Sequence, residues 1–268
     1  MDMDTDTDIS NPLDFTGRVV LVTGGTKGIG AAIAEAFLGA GADVVVCGRN
    51  APGALPAAGG REAVFVAADV RDPAAAARLV DSAVERFGRL DVLVNNAGGS
   101  PDADAATVSP RFVEKIVALN LLAPFYVAQA AHGAMRARPG GGSVVNIGSV
   151  SAHDPQPGTA AYTAAKAGLL ALTRALALEW APQVRVNHIT TGLIRTDSAA
   201  SVYGADGGAS VAGVIPMERM AVPADVARAC LFLASDLSAY VNGADLAVHG
   251  GGEFPARYLA ARSANQGV

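Results

Sequence analysis

The run Arg18-Val-Val-Leu-Val-Thr-Gly-Gly-Thr-Lys-Gly-Ile-Gly30 decides how the rest of this 268-residue chain is read. Its opening, Arg18–Thr23, is short, apolar and β-branched, as a buried strand is. Ile29–Gly39, directly after it, carries apolar residues at helical spacing. The glycines between them let the backbone turn sharply and approach a pyrophosphate, while the following helix N-terminus offers N–H donors and partial positive charge. A glycine-rich loop alone is a weak signal. Between the first strand and first helix of an alternating chain it becomes a strong one.

The alternation continues to the far end. Asp43–Cys47, Ala63–Ala67, Val92–Val94, Ser143–Ile147, Val184–Ile189 and Asp245–Val248 read as strands. Pro73–Phe87, a long region around Ser109–Arg138, Thr159–Trp180 and Pro223–Ala234 read as helices. Pro73 suits a first helical turn and Gly88 a stop. Strands separated by helices of this length predict a Rossmann-type, doubly wound parallel sheet of about seven strands, with helices on both faces in three layers. No repeat or linker interrupts it. The expected organisation is an acidic disordered tail at 1–14, a single domain at 15–252 and an extension at 253–268. Thr196–Val214, rich in Ala, Gly and Ser, follows a strand end where open α/β sheets bind ligands, and reads as a lid over the site.

Composition limits the partners. Half the residues are hydrophobic (51%), only 17% are charged, the net charge is −5 and no Lys/Arg cluster occurs. Neither nucleic acid nor an anionic membrane is an expected partner. No apolar run approaches the ~20 residues of a membrane helix. The acidic N-terminus is unlike a secretory signal, so the cytoplasm is the expected location. Cys47 and Cys230 lie in apolar stretches and read as buried free thiols, and no Cys/His spacing suggests a metal.

Tyr162-Thr-Ala-Ala-Lys166 opens a predicted helix, and residues at i and i+4 share one face. A nearby ammonium favours the phenolate, and bringing a Tyr from ~10 to ~7 takes about 4 kcal/mol. A Tyr so tuned passes a proton to or from a carbonyl oxygen. Ser149 closes the strand thirteen residues earlier, with a hydroxyl able to bond the same oxygen. Asn120 interrupts a helical region, where its side chain can hold backbone or water.

The spacing of Gly24, Gly28 and Gly30 resembles the T-G-x-x-x-G-x-G pattern of the short-chain dehydrogenase/reductase family, and Asn120, Ser149, Tyr162 and Lys166 match its catalytic set. The resemblance spans roughly Phe15 to Gly252 and is strongest to NADP(H)-preferring members such as 3-oxoacyl-carrier-protein reductase-like enzymes. It implies that Ser149 orients a carbonyl and that Tyr162 is the general acid/base. Lys166 lowers the Tyr pKa and bonds the nicotinamide ribose, and Asn120 holds a water in the proton relay. It further implies a cofactor site made of Gly24, Thr26, Lys27, Gly28, Ile29, Gly30, Arg49, Asp69, Val70, Asn96, Ala97, Gly98, Tyr162, Lys166, Gly192, Ile194 and Thr196. Asn95-Asn-Ala-Gly98 resembles the motif that supports the sheet and the adenosine side. Assembly into a homotetramer, or a dimer, through the helices at Ser109–Arg138 and Thr159–Trp180 follows from the same likeness.

An acid after the second strand would mark NAD, whereas Cys47-Gly48-Arg49-Asn50 offers a guanidinium that suits a 2′-phosphate, with Lys27 as a second cation. The expected activity is therefore NADP(H)-dependent interconversion of a ketone and a secondary alcohol. The alternatives are an NAD-dependent alcohol dehydrogenase of the same fold and a non-catalytic nucleotide sensor or scaffold. Sparse charge in Val150–Ala161 and Thr196–Met217 suggests a neutral, fairly apolar ketone. His153 reads either as pocket lining or as surface. Thr191 stands where the family has Pro, which puts loop rigidity in doubt, and His249 stands where it has Asp.

Overall fold

The computed structural model describes residues 11–196, 203, 206 and 208–266. Residues 1–10 of the expected tail at 1–14, and 197–202, 204, 205 and 207 of the expected lid at 196–214, lie outside the described residues. Seven strands form one parallel sheet: β1 (Val19–Thr23), β2 (Asp43–Gly48), β3 (Val64–Ala67), β4 (Val92–Asn95), β5 (Gly142–Ile147), β6 (Val184–Thr191) and β7 (Asp245–Val248). Their spatial order is β3-β2-β1-β4-β5-β6-β7, and the order reverses between β1 and β4. Ligands of open α/β sheets bind at that reversal, outside the carboxyl ends of the strands.

The helices are α1 (Gly28–Gly39), α2 (Pro73–Phe87), α3 (Pro110–Val117), α4 (Ala123–Arg136), α5 (Ala160–Trp180), α6 (Pro223–Ala234) and α7 (Ala256–Gln266). Local chemistry sets their ends. Asp72 accepts a hydrogen bond from the Ala74 N–H at 3.0 Å, Pro73 takes the first turn, and Gly88 stops α2 at φ 75°. One apolar layer packs α1 and α6 on the sheet through residues such as Ile33, Phe37, Val226 and Leu233. The other packs α2, α4 and α5 on the opposite face through Leu79, Val127, Met135 and Leu176. Both cysteines are buried free thiols, as expected.

Three features were not anticipated. A two-residue hairpin pairs Ala57–Ala58 with Arg61–Glu62. The C-terminal extension forms α7. A π-helical turn at Ala118–Leu122 joins α3 to α4 and contains Asn120. The continuous helix Pro110–Arg136 so formed is, by length and composition alone, long and apolar enough to cross a membrane, contrary to the expectation that no stretch was. Its buried residues, among them Ile116, Ala123, Val127 and Met135, make it a core helix of this fold.

Candidate active site

The glycine loop lies at the carboxyl end of β1, braced by β4. The Thr23 hydroxyl accepts from the Asn96 and Ala97 N–H groups, both at 3.0 Å. The Asn96 amide donates back to the carbonyls of Thr23 at 3.0 Å and Gly24 at 3.2 Å. Asn96 thus supports the loop through its own side chain. Gly30 allows this packing, since a Cβ there would lie 2.3 Å from the Gly24 carbonyl oxygen and 2.5 Å from the Asn96 amide nitrogen. Gly28, at φ +54°, starts α1 in a conformation that L side chains rarely adopt. The α1 N-terminus has no side-chain cap and no acid in its first turn. Its first N–H groups and its partial positive charge therefore suit a pyrophosphate.

Thr26 lies against Gly48 at the end of β2, and Lys27 and Arg49 are exposed near the same edge. Asp69 is held by Arg71, whose Nε donates at 2.9 Å, and Arg49 acts on the same carboxylate electrostatically. Arg71 is a third cation at this edge that the sequence reading did not single out. Val70 is buried beneath it.

The proton-transfer candidates meet at the carboxyl ends of β4 and β5. Ser149 accepts from the Ser151 N–H at 3.1 Å, and its hydroxyl faces the Ser151 hydroxyl at 3.2 Å. It is also close enough to the Tyr162 phenol to pull that pKa down. The Lys166 ammonium donates to the Ile147 carbonyl at 2.8 Å and stands 5.6 Å from the centre of the Tyr162 ring. A Cβ on Gly98 would lie 2.8 Å from the Asn120 carbonyl oxygen of the side chain and 3.3 Å from the Lys166 ammonium, so only glycine lets these groups converge.

One expectation gains detail and one needs correction. Asn120 is fully buried and its side chain is spent on backbone: Oδ1 accepts from the Gly99 N–H at 2.9 Å, while the amide donates to Gly99 and Ile116 carbonyls at 3.0 Å each. That side chain holds the loop after β4 with both amide hydrogens in use, which leaves a water the second lone pair of Oδ1. The Tyr162 phenol is not brought down in the protein alone. Burial pushes its pKa up, with the Ser149 hydroxyl pulling the other way. Lys166 responds in the opposite sense, lowered to about 8 by burial.

Beyond β6, Thr191 answers the doubt about the missing proline: its hydroxyl donates to the Gly148 carbonyl at 2.9 Å, tying the strand end to the residue before Ser149. Gly192 donates its N–H to Val248 at 3.0 Å and packs on His249, and Ile194 is buried beside Ala221. The Thr196 methyl approaches Gly28 across the mouth of the glycine loop. Next to these residues lies a cavity of about 280 Å³, walled by Val150, Leu193 and Ile215 with Asp154, Gln156, His249 and Glu253. His153 is not among its lining residues. A larger cavity, about 420 Å³, opens at the opposite end of the sheet between Arg18, Arg89, Arg138 and Arg185. Arg89 and Arg138 pair with Asp91 and Arg18 with Asp236, Arg185 donates to the Val241 and Ser235 carbonyls, and no Tyr, His, Cys or Lys lines the cavity.

Residues 24–253 match a family model described as enoyl-(acyl carrier protein) reductase. A short-chain type dehydrogenase/reductase of Sinorhizobium fredii is 38% identical over 246 residues, covering 88% of this chain and 97% of the relative. D-threitol dehydrogenase of Mycolicibacterium smegmatis is 37% identical over 252 residues, covering 91% and 96%. The ligand-free aldohexose dehydrogenase of Thermoplasma acidophilum superimposes with a TM-score of 0.83 at 30% identity, over 89% of this chain and 94% of that one. With a sheet, a glycine loop and a Ser–Tyr–Lys cluster of this kind, the chain belongs to the short-chain dehydrogenase/reductase family of oxidoreductases, which act on CH–OH or C=O groups with NAD(P).

Proposed function

We propose that the protein is an NADP(H)-dependent oxidoreductase that interconverts a ketone and a secondary alcohol, with Tyr162 as general acid/base. The observation that carries this reading is the convergence of Ser149, Tyr162 and Lys166, with the serine acting on the phenol and the ammonium 5.6 Å from the ring centre. The bound nicotinamide supplies or removes the hydride. Ser149 holds the substrate oxygen, and Tyr162 gives that oxygen a proton in reduction or takes one in oxidation. A phenol raised by burial is protonated at neutral pH, which suits donation to a carbonyl oxygen. Lys166 contributes positive charge beneath the phenol and a donor toward the nicotinamide ribose.

The uncapped α1 N-terminus would hold the pyrophosphate, with the backbone of Gly24–Gly30 around it. Lys27 and Arg49 would pair with a 2′-phosphate, and the absence of an acid at the end of β2 disfavours the ribose recognition that NAD requires. Fluorescence titration with NADPH and NADH tests this. Arg49→Ala should weaken NADPH binding at least tenfold and leave NADH nearly unchanged; equal loss for both would refute the assignment.

For the substrate, the cavity beside Gly192 supports a more polar reading than the apolar ketone expected. At about 280 Å³ it falls at the low end of ligand pockets, and Asp154, Gln156, His249 and Glu253 offer acceptors and donors to hydroxyl groups. A small hydroxylated substrate suits it, in keeping with the D-threitol and aldohexose dehydrogenases among the similar proteins. A panel of alditols, aldoses and simple ketols assayed beside apolar cyclic ketones decides between the two. We further propose a homotetramer packed through α4 and α5, supported by Leu178 of α5, which is 84% exposed. Analytical ultracentrifugation reads that directly.

A further inference from the structure

Asp245, the first residue of β7, receives three hydrogen bonds, two from β6 and one from the turn after Ser149. Its Oδ1 accepts from Thr190 Oγ1 at 2.7 Å and from His188 Nδ1 at 2.8 Å. Its Oδ2 accepts from His153 Nε2 at 2.9 Å, and that nitrogen also lies 3.3 Å from Thr190 Oγ1. His153 ends the short turn Val150–Ala152 that begins at Ser149. His188 lies on β6 with no exposed surface, and its ring meets the chain at the other end of the same segment. A Cβ on Gly148 would fall 2.0 Å from His188 Cε1 and 2.1 Å from Nε2.

The segment Gly148–His153 is therefore held at both ends by one carboxylate. At its start, the His188 ring fills the space beside Gly148, and Asp245 fixes that ring by its Nδ1–H. At its end, His153 ties the turn across β6 to the edge strand. Ser149 lies between the two anchors. Burial lowers the His188 pKa, and Lys166 and His153 lower it further, while Asp245 opposes them. A neutral ring with its proton on Nδ1 fits that balance, leaving Nε2 without a partner against Gly148.

Resting on the reaction proposed above, we infer that Asp245, through His153 and His188, is a positioning residue that fixes the Ser149 hydroxyl for the substrate oxygen. Ser149 itself has few other restraints: its hydroxyl bonds the neighbouring Ser151 and stands near the Tyr162 phenol it must serve. A displacement on the order of 1 Å in such a group costs about 100-fold in rate.

The test is a double-mutant cycle between Asp245→Ala and Ser149→Ala, with NADPH affinity measured in parallel. In the wild-type background, Asp245→Ala should lower kcat roughly 10- to 100-fold, with NADPH Kd within about twofold. In the Ser149→Ala background the same change should cost less than about threefold, because groups acting as a unit are not additive. Amide exchange of the 148–154 segment should quicken in Asp245→Ala while β1–β4 stay protected. Asp245→Asn, which keeps one acceptor, should recover part of the rate. An equal loss in both backgrounds, or unchanged exchange in the segment, would overturn the inference. If Asp245→Ala does not fold, His153→Ala replaces it, since that side chain is 43% exposed and its removal disturbs no core. A wild-type protein inactive on every alcohol and carbonyl tested would instead refute the reaction. The exchange measurement would still judge the clamp.

Discussion

Lys166→Met should make the protein more stable at neutral pH while abolishing turnover. The lysine is 4% exposed, and burial lowers its pKa from 10.5 to about 8. Between about pH 8 and 10.5 the unfolded chain carries a proton on Lys166 that the folded chain has released. Stability from this group therefore rises with pH across that window, and the full penalty is present below it. A shift from 10.5 to about 8 corresponds to about 3 kcal/mol. Methionine removes the charge but leaves the Ile147 carbonyl without its 2.8 Å donor. That loss costs ~1 kcal/mol, so about 2 kcal/mol of gain remains, roughly 4–8 °C in Tm. Cys47 acts in the opposite direction: its folded-state pKa is raised from 9.0 to about 11, so its contribution to stability falls with pH between those values. Cys230, also raised by burial, does the same. The wild-type rise should therefore be visible from pH 8 to 9 and be offset above that. The difference between variant and wild type isolates the lysine. Urea denaturation of both proteins from pH 7 to 10.5 should show the advantage of the variant shrinking, passing through zero before the upper limit and reversing there by up to ~1 kcal/mol, the lost hydrogen bond. A Lys166→Met protein less stable than wild type at pH 7, or a difference that does not narrow with pH, would refute the reasoning.

Three further outcomes are expected. Tyr162→Phe should lose at least 10²–10⁴ in kcat with NADPH affinity retained, since the phenol supplies the proton and the ring remains; steady-state kinetics beside a fluorescence titration checks this. Gly148→Ala should destabilise by roughly 3 kcal/mol or more, because its Cβ would fall 2.0 Å from a buried ring tied to Asp245. Adding His188→Ala should return more than about 1 kcal/mol of that loss, read as non-additivity in urea midpoints. Gly30→Ala should cost roughly 2–3 kcal/mol and weaken NADPH binding at least tenfold, as the atom it meets at 2.3 Å is the Gly24 backbone and cannot swing aside; denaturation and titration of the same sample separate the two effects.

The strands were legible because buried parallel strands are written as short unbroken apolar runs, and each observed boundary falls within two residues of expectation. The pairing of Tyr162 with Lys166 was legible because a helix turns sequence spacing into spatial proximity. What escaped the sequence lies between elements. Asn120 bonds Gly99, 21 residues away, and the π-helical turn that aims it has no local signature. His153, His188 and Asp245 come from a turn and two strands, with 92 residues between the first and the last. No window of sequence shows them together. The hydroxyl of Thr191 was visible as a departure from Pro, but its partner Gly148 became known only when β5 and β6 were paired. The cavity is lined from the expected wall Val150–Ala161, by Asp154 and Gln156, and from beyond β7, by His249 and Glu253, which sequence proximity does not bring together.

The place of β1 between β2 and β4 also sets a timetable for synthesis. Val20 pairs with Val44 on one side and Val92 on the other, and the Val19 amide finds its Asp91 acceptor 72 residues downstream. At about 5–20 residues per second, the ribosome delivers that partner roughly 4–14 seconds after β1 emerges. Until then β1 has a bare apolar edge, the kind of surface that recruits other strands. The brace from Asn96 to Thr23 and Gly24 arrives in the same interval, so the nucleotide cradle and the middle of the sheet are finished together. A chain stalled short of β4 would expose a sticky edge and an unbraced loop at once. Rare codons or sequence changes that delay residues 92–96 should therefore lower soluble yield without altering the finished protein.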